Sequence, residues 1–379
     1  MKAPPLVCPI DSSPTDFDLE TLVTLLAELE RDALPELDRA FDRGTLLADG
    51  RLDLCKQNLG VQGCAALVSA LERNRQVHAL LLGTNGIADA GAQTVARLIR
   101  AGHLTTIYLG CNLITQAGVE ALCQAIEDTN TVQALWLKRN PIGPNGAQRI
   151  ASMLRGNTSM KTLDLVNTGI GEAGFHAIIR SLIDQNRTLE YLYLSGNGLD
   201  EQEAPLLAEL LRVNPTLKGL FLSVNRLADT GLNILLQGLE ANSALEFLGL
   251  ASNEIGDKTA PRLFAAVSAH PNLRALDLGY SPSTRVLQAV GNQVGDASLP
   301  AVLRLLEGSQ LLDLDLSRNQ FGQGAKAQIL NSLEQNFRLQ RLKMDSTDPN
   351  LERLLLRNRN IAPASFQVPY SQLIRSVYR

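Results

Sequence analysis

The sequence predicts a right-handed α/β solenoid, with a parallel sheet on its concave side and helices on its convex side, and three observations carry this. The chain repeats itself at steps of 27 to 29 residues. Each copy carries an apolar-x-apolar triplet and, three residues on, an asparagine or a stand-in, as in Leu135-Trp136-Leu137 with Asn140 or Leu220-Phe221-Leu222 with Asn225. The asparagine leads into a phrase with apolar residues at helical spacing, such as Gly146-Ala147-Gln148-Arg149-Ile150-Ala151-Ser152-Met153-Leu154. A unit this short cannot bury its apolar face alone, so neighbouring copies must stack.

In chain order, residues 1–16 are rich in Pro, Ser, Thr and Asp and read as a flexible leader. Residues 17–50 read as an N-terminal helical cap, since Leu19 to Phe41 has apolar residues at helical spacing. Residues 51–347 hold about eleven repeats, with strand cores from Leu52/Leu54 to Leu342/Met344. Residues 348–379, with a basic tail, are expected to cap the last coil. Along each strand the two leucines face inward and the residue between them outward. The asparagine is expected to satisfy backbone groups of adjacent coils, with Gln57, Thr168 and Thr347 standing in for it in three repeats. A second set of asparagines, Asn74, Asn130, Asn157, Asn186, Asn214, Asn242 and Asn336, is expected to end the helices by adopting left-handed backbone angles.

Composition narrows the function classes. A net charge of −4 over 379 residues argues against a phosphate-binding surface and so against nucleic acid. No run of eighteen apolar residues is present and Met1 to Pro9 has no long apolar core, so neither a membrane span nor a signal peptide is expected, and the protein is placed in the cytoplasm. The five cysteines, Cys8, Cys55, Cys64, Cys111 and Cys123, follow no paired spacing and are expected as free thiols. Gly169-Ile170-Gly171-Glu172-Ala173-Gly174 matches a dinucleotide fingerprint, but Gly171 and Gly174 are this repeat's versions of Gly143 and Gly146. His78, His103, His176 and His270 are scattered over separate coils, and no hydrolase, metalloprotease or P-loop motif appears. No catalytic residue, metal or cofactor is expected, and the chain reads as a non-enzyme.

A helix in every coil with a period near 28 resembles the ribonuclease-inhibitor-like class of leucine-rich repeats over about residues 50 to 347. That class includes the repeat regions of Ran GTPase-activating protein and of nucleotide-binding immune receptors. The resemblance implies a horseshoe that binds a protein partner on its concave face. It also brings two alternatives: a GTPase-activating or other enzyme-modulating role, and a bacterial effector secreted into a host cell without a signal peptide. The chain ends in Arg375 and Arg379 where Ran GTPase-activating protein has an acidic tail, which weakens the first of these.

The outward residue of each strand is the place for specificity. Down the stack it runs Asp53, Leu81, Tyr108, Trp136, Asp164, Tyr193, Phe221, Gly249, Asp277, Asp315 and Lys343, with Tyr191 and Phe247 one column away. Tyr108, Trp136, Tyr193 and Phe221 would form a strip of roughly 20 Å at about 4.8 Å per strand. Two readings stand open: a partner-binding centre rimmed by Lys138, Arg139 and Asp164, or simple cross-strand stacking. Asp277, Asp313 and Asp315 form an acidic zone, read either as solvated or as a receptor for a basic segment. About eleven extra residues, Ser281 to Gly291, delay the asparagine to Asn292. They are expected to loop out, with Arg285 among the binding residues and Val286, Leu287 and Val290 on an amphipathic turn.

Overall fold

The computed structural model describes residues 17–346, 348–361 and 371–378; the leader, Cys8 and Thr347 lie outside the described residues. Two compact units emerge. The first joins the residues up to Leu189 with the segment 371–378 from the far end of the sequence, and the second runs from Glu190 through 361.

The first unit opens with a helical turn, Leu19–Leu22, and helix α1, Val23–Leu29. The helix does not continue to Phe41 as its apolar spacing suggested. Asp32 takes a left-handed backbone (φ 50°) and Pro35 follows, so the helical hydrogen bonds cannot go on. The rest of the cap is a hairpin, β1 (Arg39–Ala40) and β2 (Thr45–Leu46), laid antiparallel on the edge of β3 (Arg51–Asp53). This covers an edge that would otherwise present unpaired backbone groups. From β3 the pairing is parallel and in register through β4 (Ala79–Leu81), β5 (Thr106–Tyr108), β6 (Ala134–Trp136) and β7 (Thr162–Asp164). The intervening helices are α2 (Gly60–Leu71), α3 (Ala88–Arg100), α4 (Gln116–Thr129), α5 (Gly143–Gly156) and, after β7, α6 (Gly171–Asp184). Helix α3 buries Ala92, Val95, Ala96 and Ile99, one stripe at 3.6-residue spacing, against the inward leucines.

In the second unit the strands are β8 (Tyr191–Tyr193), β9 (Gly219–Phe221), β10 (Phe247–Gly249), β11 (Ala275–Asp277), β12 (Asp313–Asp315) and β13 (Arg341–Lys343), again parallel and in register. The helices are α7 (Ala204–Val213), α8 (Ala228–Leu239), α9 (Ala260–Ala269), α10 (Leu299–Gly308), α11 (Gln323–Ser332) and α12 (Pro349–Ile361). Helix α12 covers the last coil through Asn358, whose Nδ2 donates to Leu339 O at 2.7 Å. The C-terminal cap expected over 348–379 is therefore divided: α12 lies on the second unit, while 371–378 belongs to the first.

The asparagine ladder explains the recurring phrase. Asn140 Oδ1 accepts from the N–H groups of Asn112 and Ile114 in the coil before, at 2.8 and 3.0 Å, while its Nδ2 donates to Leu109 O and Leu137 O. Asn225 does the same in its coil, accepting from Asn197 and Leu199 and donating to Leu194 O and Leu222 O. One buried side chain thus satisfies four backbone groups that have no strand or helix partner. The residue just before the ladder position is left-handed in coil after coil: Lys56, Thr84, Cys111, Arg139, Val224, Ser252 and Arg318 all have φ between 53° and 61°.

The second set of asparagines works differently from expectation. Only Asn130 is left-handed (φ 52°); Asn157 and Asn214 are extended. Their Oδ1 atoms accept from the N–H groups two and three residues on, as Asn157 does from Ser159 and Met160 and Asn186 from Thr188 and Leu189. An Asx turn, not a left-handed residue, redirects the chain from helix to strand. His270 takes the same place in its coil, its Nδ1 accepting from Asn272 and Leu273.

Candidate protein-binding face

The outward strand residues of the first unit are closed over. Asp53, Leu81, Tyr108, Trp136 and Asp164 are all buried, Trp136 to 2% exposure. The expectation that these rings lie open to solvent is corrected: they pack with Cys55, Ala79 and Ala134 in one apolar cluster, and Ile374 of the segment 371–378 lies on it. The Tyr108 ring also leans back over the preceding coil, where a Cβ on Gly83 would come within 2.1 Å of Tyr108 Cε1. On its other side Lys138 Nζ sits 5.4 Å from the ring centroid. Lys138 therefore lies against Tyr108. Arg139 is half-buried and serves as a left-handed turn residue. Asp164 accepts from the N–H of Val166 at 2.8 Å, turning the chain out of its own strand.

In the second unit the face is more open. Tyr193 and Phe221 are half-buried and stack face to face, centroids 4.1 Å apart and planes 5° apart. Tyr191 and Phe247, one column over, meet edge on at 5.9 Å and are buried. The Tyr191 ring lies across Gly219, where a Cβ would sit 2.6 Å from Tyr191 Cδ1. The aromatic strip thus resolves into two groups of rings on separate units, Tyr108 with Trp136 and Tyr191, Tyr193, Phe221 and Phe247.

The acidic zone carries its own counter-charges. Asp313 is paired with Arg341 at 2.6 Å and Asp315 with Lys343 at 2.9 Å. Asp277, Asp315 and Asp53 each accept from the N–H two residues on, at 3.0, 2.9 and 3.0 Å. The aspartates are thus local turn formers before they are anything else. Burial, helped by the neighbouring Asp315 charge, pushes the Asp277 carboxyl up to about 6, against the opposing hydrogen bond from Gly279. Burial likewise raises Asp313 despite Arg341.

The insertion is a turn over 282–288, and it is less detached than its sequence implied. Leu287 and Thr284 are buried, and Thr284 Oγ1 donates to Ser252 Oγ at 2.7 Å. Val286 and Val290 face solvent, so the amphipathic turn holds only through Leu287. Arg285 is exposed, and Arg318 lies 4.7 Å over the Tyr280 ring beside the turn. Asn292 performs the ladder function after it, accepting from Asn253 and Ile255.

The dinucleotide-like glycines are explained by packing. Gly169 and Gly171 are left-handed, and Gly174 lies where a Cβ would meet Ala147 Cβ at 2.5 Å, which lets α6 approach α5. The Cys64 and Cys123 thiols are buried and pushed up to about 12, so neither is a nucleophile. Among the described residues no helix is long and apolar enough to cross a membrane, and no three His, Cys, Asp or Glu residues stand together as metal ligands.

The model of the family described as Leucine Rich repeat matches residues 103–123 and 185–201. The pig (Sus scrofa) ribonuclease inhibitor is 30% identical over 191 residues, 50% of this chain and 41% of the inhibitor. The repeats of this chain are similar to those of the ribonuclease-inhibitor-like class of leucine-rich repeat proteins. Bovine (Bos taurus) NACHT, LRR and PYD domains-containing protein 3 is 28% identical over 162 residues, 42% of this chain and 16% of the relative. The chain thus spans less than half the length of either relative. Among solved structures an internalin (inlF) from Listeria monocytogenes superposes with a TM-score of 0.43 at 17% identity, over 87% of this chain and 94% of that one. Leucine-rich repeat proteins generally act in protein–protein interaction.

Proposed function

We propose that this chain is a non-enzymatic protein-binding protein that holds its partner on the outward strand face. The observation that carries the reading is the Tyr193–Phe221 stack, two half-buried rings on neighbouring strands. Flat, rigid aromatic groups of this kind are the anchors that dominate protein interfaces. Exposed Arg285 and half-buried Asp277 supply a polar margin in the same unit. The name of the pig relative points the same way, since a ribonuclease inhibitor acts on a protein. We place the activity in the cytoplasm, where the buried thiols of Cys64 and Cys123 stay reduced. The test is quantitative affinity capture with cross-linking and mass spectrometry, comparing the wild-type chain with the Tyr193→Ala, Phe221→Ala double variant. A protein recovered with the first and reduced at least about tenfold with the second supports the reading, as expected for two interface anchors. Equal recovery with both moves the site off this face.

A further inference from the structure

The segment 371–378 is bound to the first unit in the manner of a peptide ligand. It follows α12 in sequence but contacts β2 to β6 instead. Ile374 supplies an apolar anchor on the cluster of Leu81, Tyr108 and Trp136. The Asp53 carboxylate holds the next stretch by two hydrogen bonds: its Oδ1 accepts from Ser376 Oγ at 3.0 Å and its Oδ2 from the Val377 N–H at 2.8 Å. Arg51 Nη1 donates to the Gln372 carbonyl at 3.1 Å, and the Tyr378 and Thr45 hydroxyls lie 2.9 Å apart. Capture of backbone N–H and C=O groups is indifferent to sequence, while Ile374, Ser376 and Tyr378 present their side chains from a turned backbone, in which the Arg375 N–H donates to Gln372 O at 2.9 Å.

A further feature marks an occupant more than a core element. Val377 is 58% exposed, and Leu373 and Ile374 are only half-buried, so little apolar surface holds the segment down. On β5, between Ala79 and Ala134 of the cluster in register, Thr106 Oγ1 is fully buried and has no hydrogen-bond partner among the described residues, and the same holds for Thr162 Oγ1 on β7.

We propose that the outward face of the first unit is a docking groove for a short turned segment that presents an aliphatic, a hydroxyl and an aromatic side chain, and that residues 371–378 are its tethered, displaceable ligand. A protein partner reaches Tyr108 and Trp136 only by displacing that segment; this last step rests on the proposed function, whereas the groove and its occupant do not. Trp136 is the chain's single tryptophan, so its emission reports the groove directly. In the full chain, Ile374→Asp should shift the emission to the red and open it to acrylamide quenching, with the far-ultraviolet circular dichroism unchanged. A chain ending at residue 370 should show the same shift, and a synthetic peptide of residues 370–379 should reverse it saturably, while a scrambled peptide does not. In that shortened chain, Asp53→Ala should weaken peptide binding about tenfold, since it removes the acceptor of two hydrogen bonds. The full chain should bind the peptide more weakly than the shortened one, because its own segment competes. Emission unchanged by Ile374→Asp, or a folded shortened chain that ignores the peptide, overturns the proposal; if the shortened chain does not fold, the Ile374→Asp result alone decides. Loss of an outside partner with the peptide result intact would remove the proposed function and leave the groove standing.

Discussion

The two units carry the same strand pattern and use its outward face differently. In the first, Tyr108 and Trp136 are buried beneath neighbours and Ile374. In the second, Tyr193 and Phe221 stack on one another and remain half-open. An outward aromatic residue is therefore not by itself an exposed one. What covers it need not come from its own repeat or from anything near in sequence.

That contrast can be broken most forcefully at the tryptophan. Trp136→Ala should cost about 3 kcal/mol or more of unfolding free energy, because it empties a packed cluster, as read from the urea midpoint at unchanged m-value. A loss below about 1 kcal/mol, the level of an ordinary surface change, would show the first face to be as open as the second.

Asp277 gives the next effect, in the second unit. Its carboxyl is raised from the ordinary aspartate range to about 6, so the unfolded chain ionises more readily, and the penalty on the native state grows as pH rises from about 4 and is complete above about 6. Asp277→Asn should stabilise the protein at pH 7 by on the order of 2 kcal/mol. The advantage should shrink as pH falls from about 6 and vanish below about 3, where the wild-type carboxyl is protonated in both states. A variant equally or less stable than wild type at pH 7 would show that the charge is compensated by Lys343.

Tyr193→Ala should cost only about 1 kcal/mol, the worth of a half-exposed stack. Urea melts of this variant beside Trp136→Ala set the ratio between the two faces, and a reversed order would sink the comparison.

The smallest effect is at His270. Burial lowers its pKa, and its Nδ1 must stay unprotonated to accept two N–H groups. Its contribution is present above the ordinary histidine value of about 6.5 and lost as pH falls below it. His270→Asn, the residue other coils use at this turn, should flatten the thermal midpoint between pH 7 and 5. An unchanged slope would show that the ring does not titrate there.

Much of the fold could be read directly from residues. The alternation of Leu135, Trp136 and Leu137 gives strand faces, and the spacing of Ala92, Val95, Ala96 and Ile99 gives the helix stripe, because both patterns follow from local backbone periodicity. The role of Asn140 could be anticipated from the side chain's paired donor and acceptor. The hairpin of β1 and β2 could not, since two-residue strands leave no periodic trace. Nor could the Asx turns at Asn157 and Asn186 be told from left-handed caps, as asparagine suits both. The candidate site was half legible: the aromatic column was there to read, its burial was not.

By itself, then, the sequence determined the repeating coil, its inward leucines, its asparagine ladder and the identity of every outward residue, because each depends on neighbours within one period. The tertiary structure alone decided three things. It placed Thr84, Arg139 and Val224 in a left-handed conformation that costs roughly 1–2 kcal/mol each, tolerable because each N–H finds a carbonyl in the next coil, as Thr84 does at Gly110. It drew Leu287 and Thr284 of the insertion into contact with the repeats. And it set Ile374 on the cluster that holds Trp136, more than two hundred residues away in the chain, which no local pattern encodes because chain separation leaves no mark on the residues that meet.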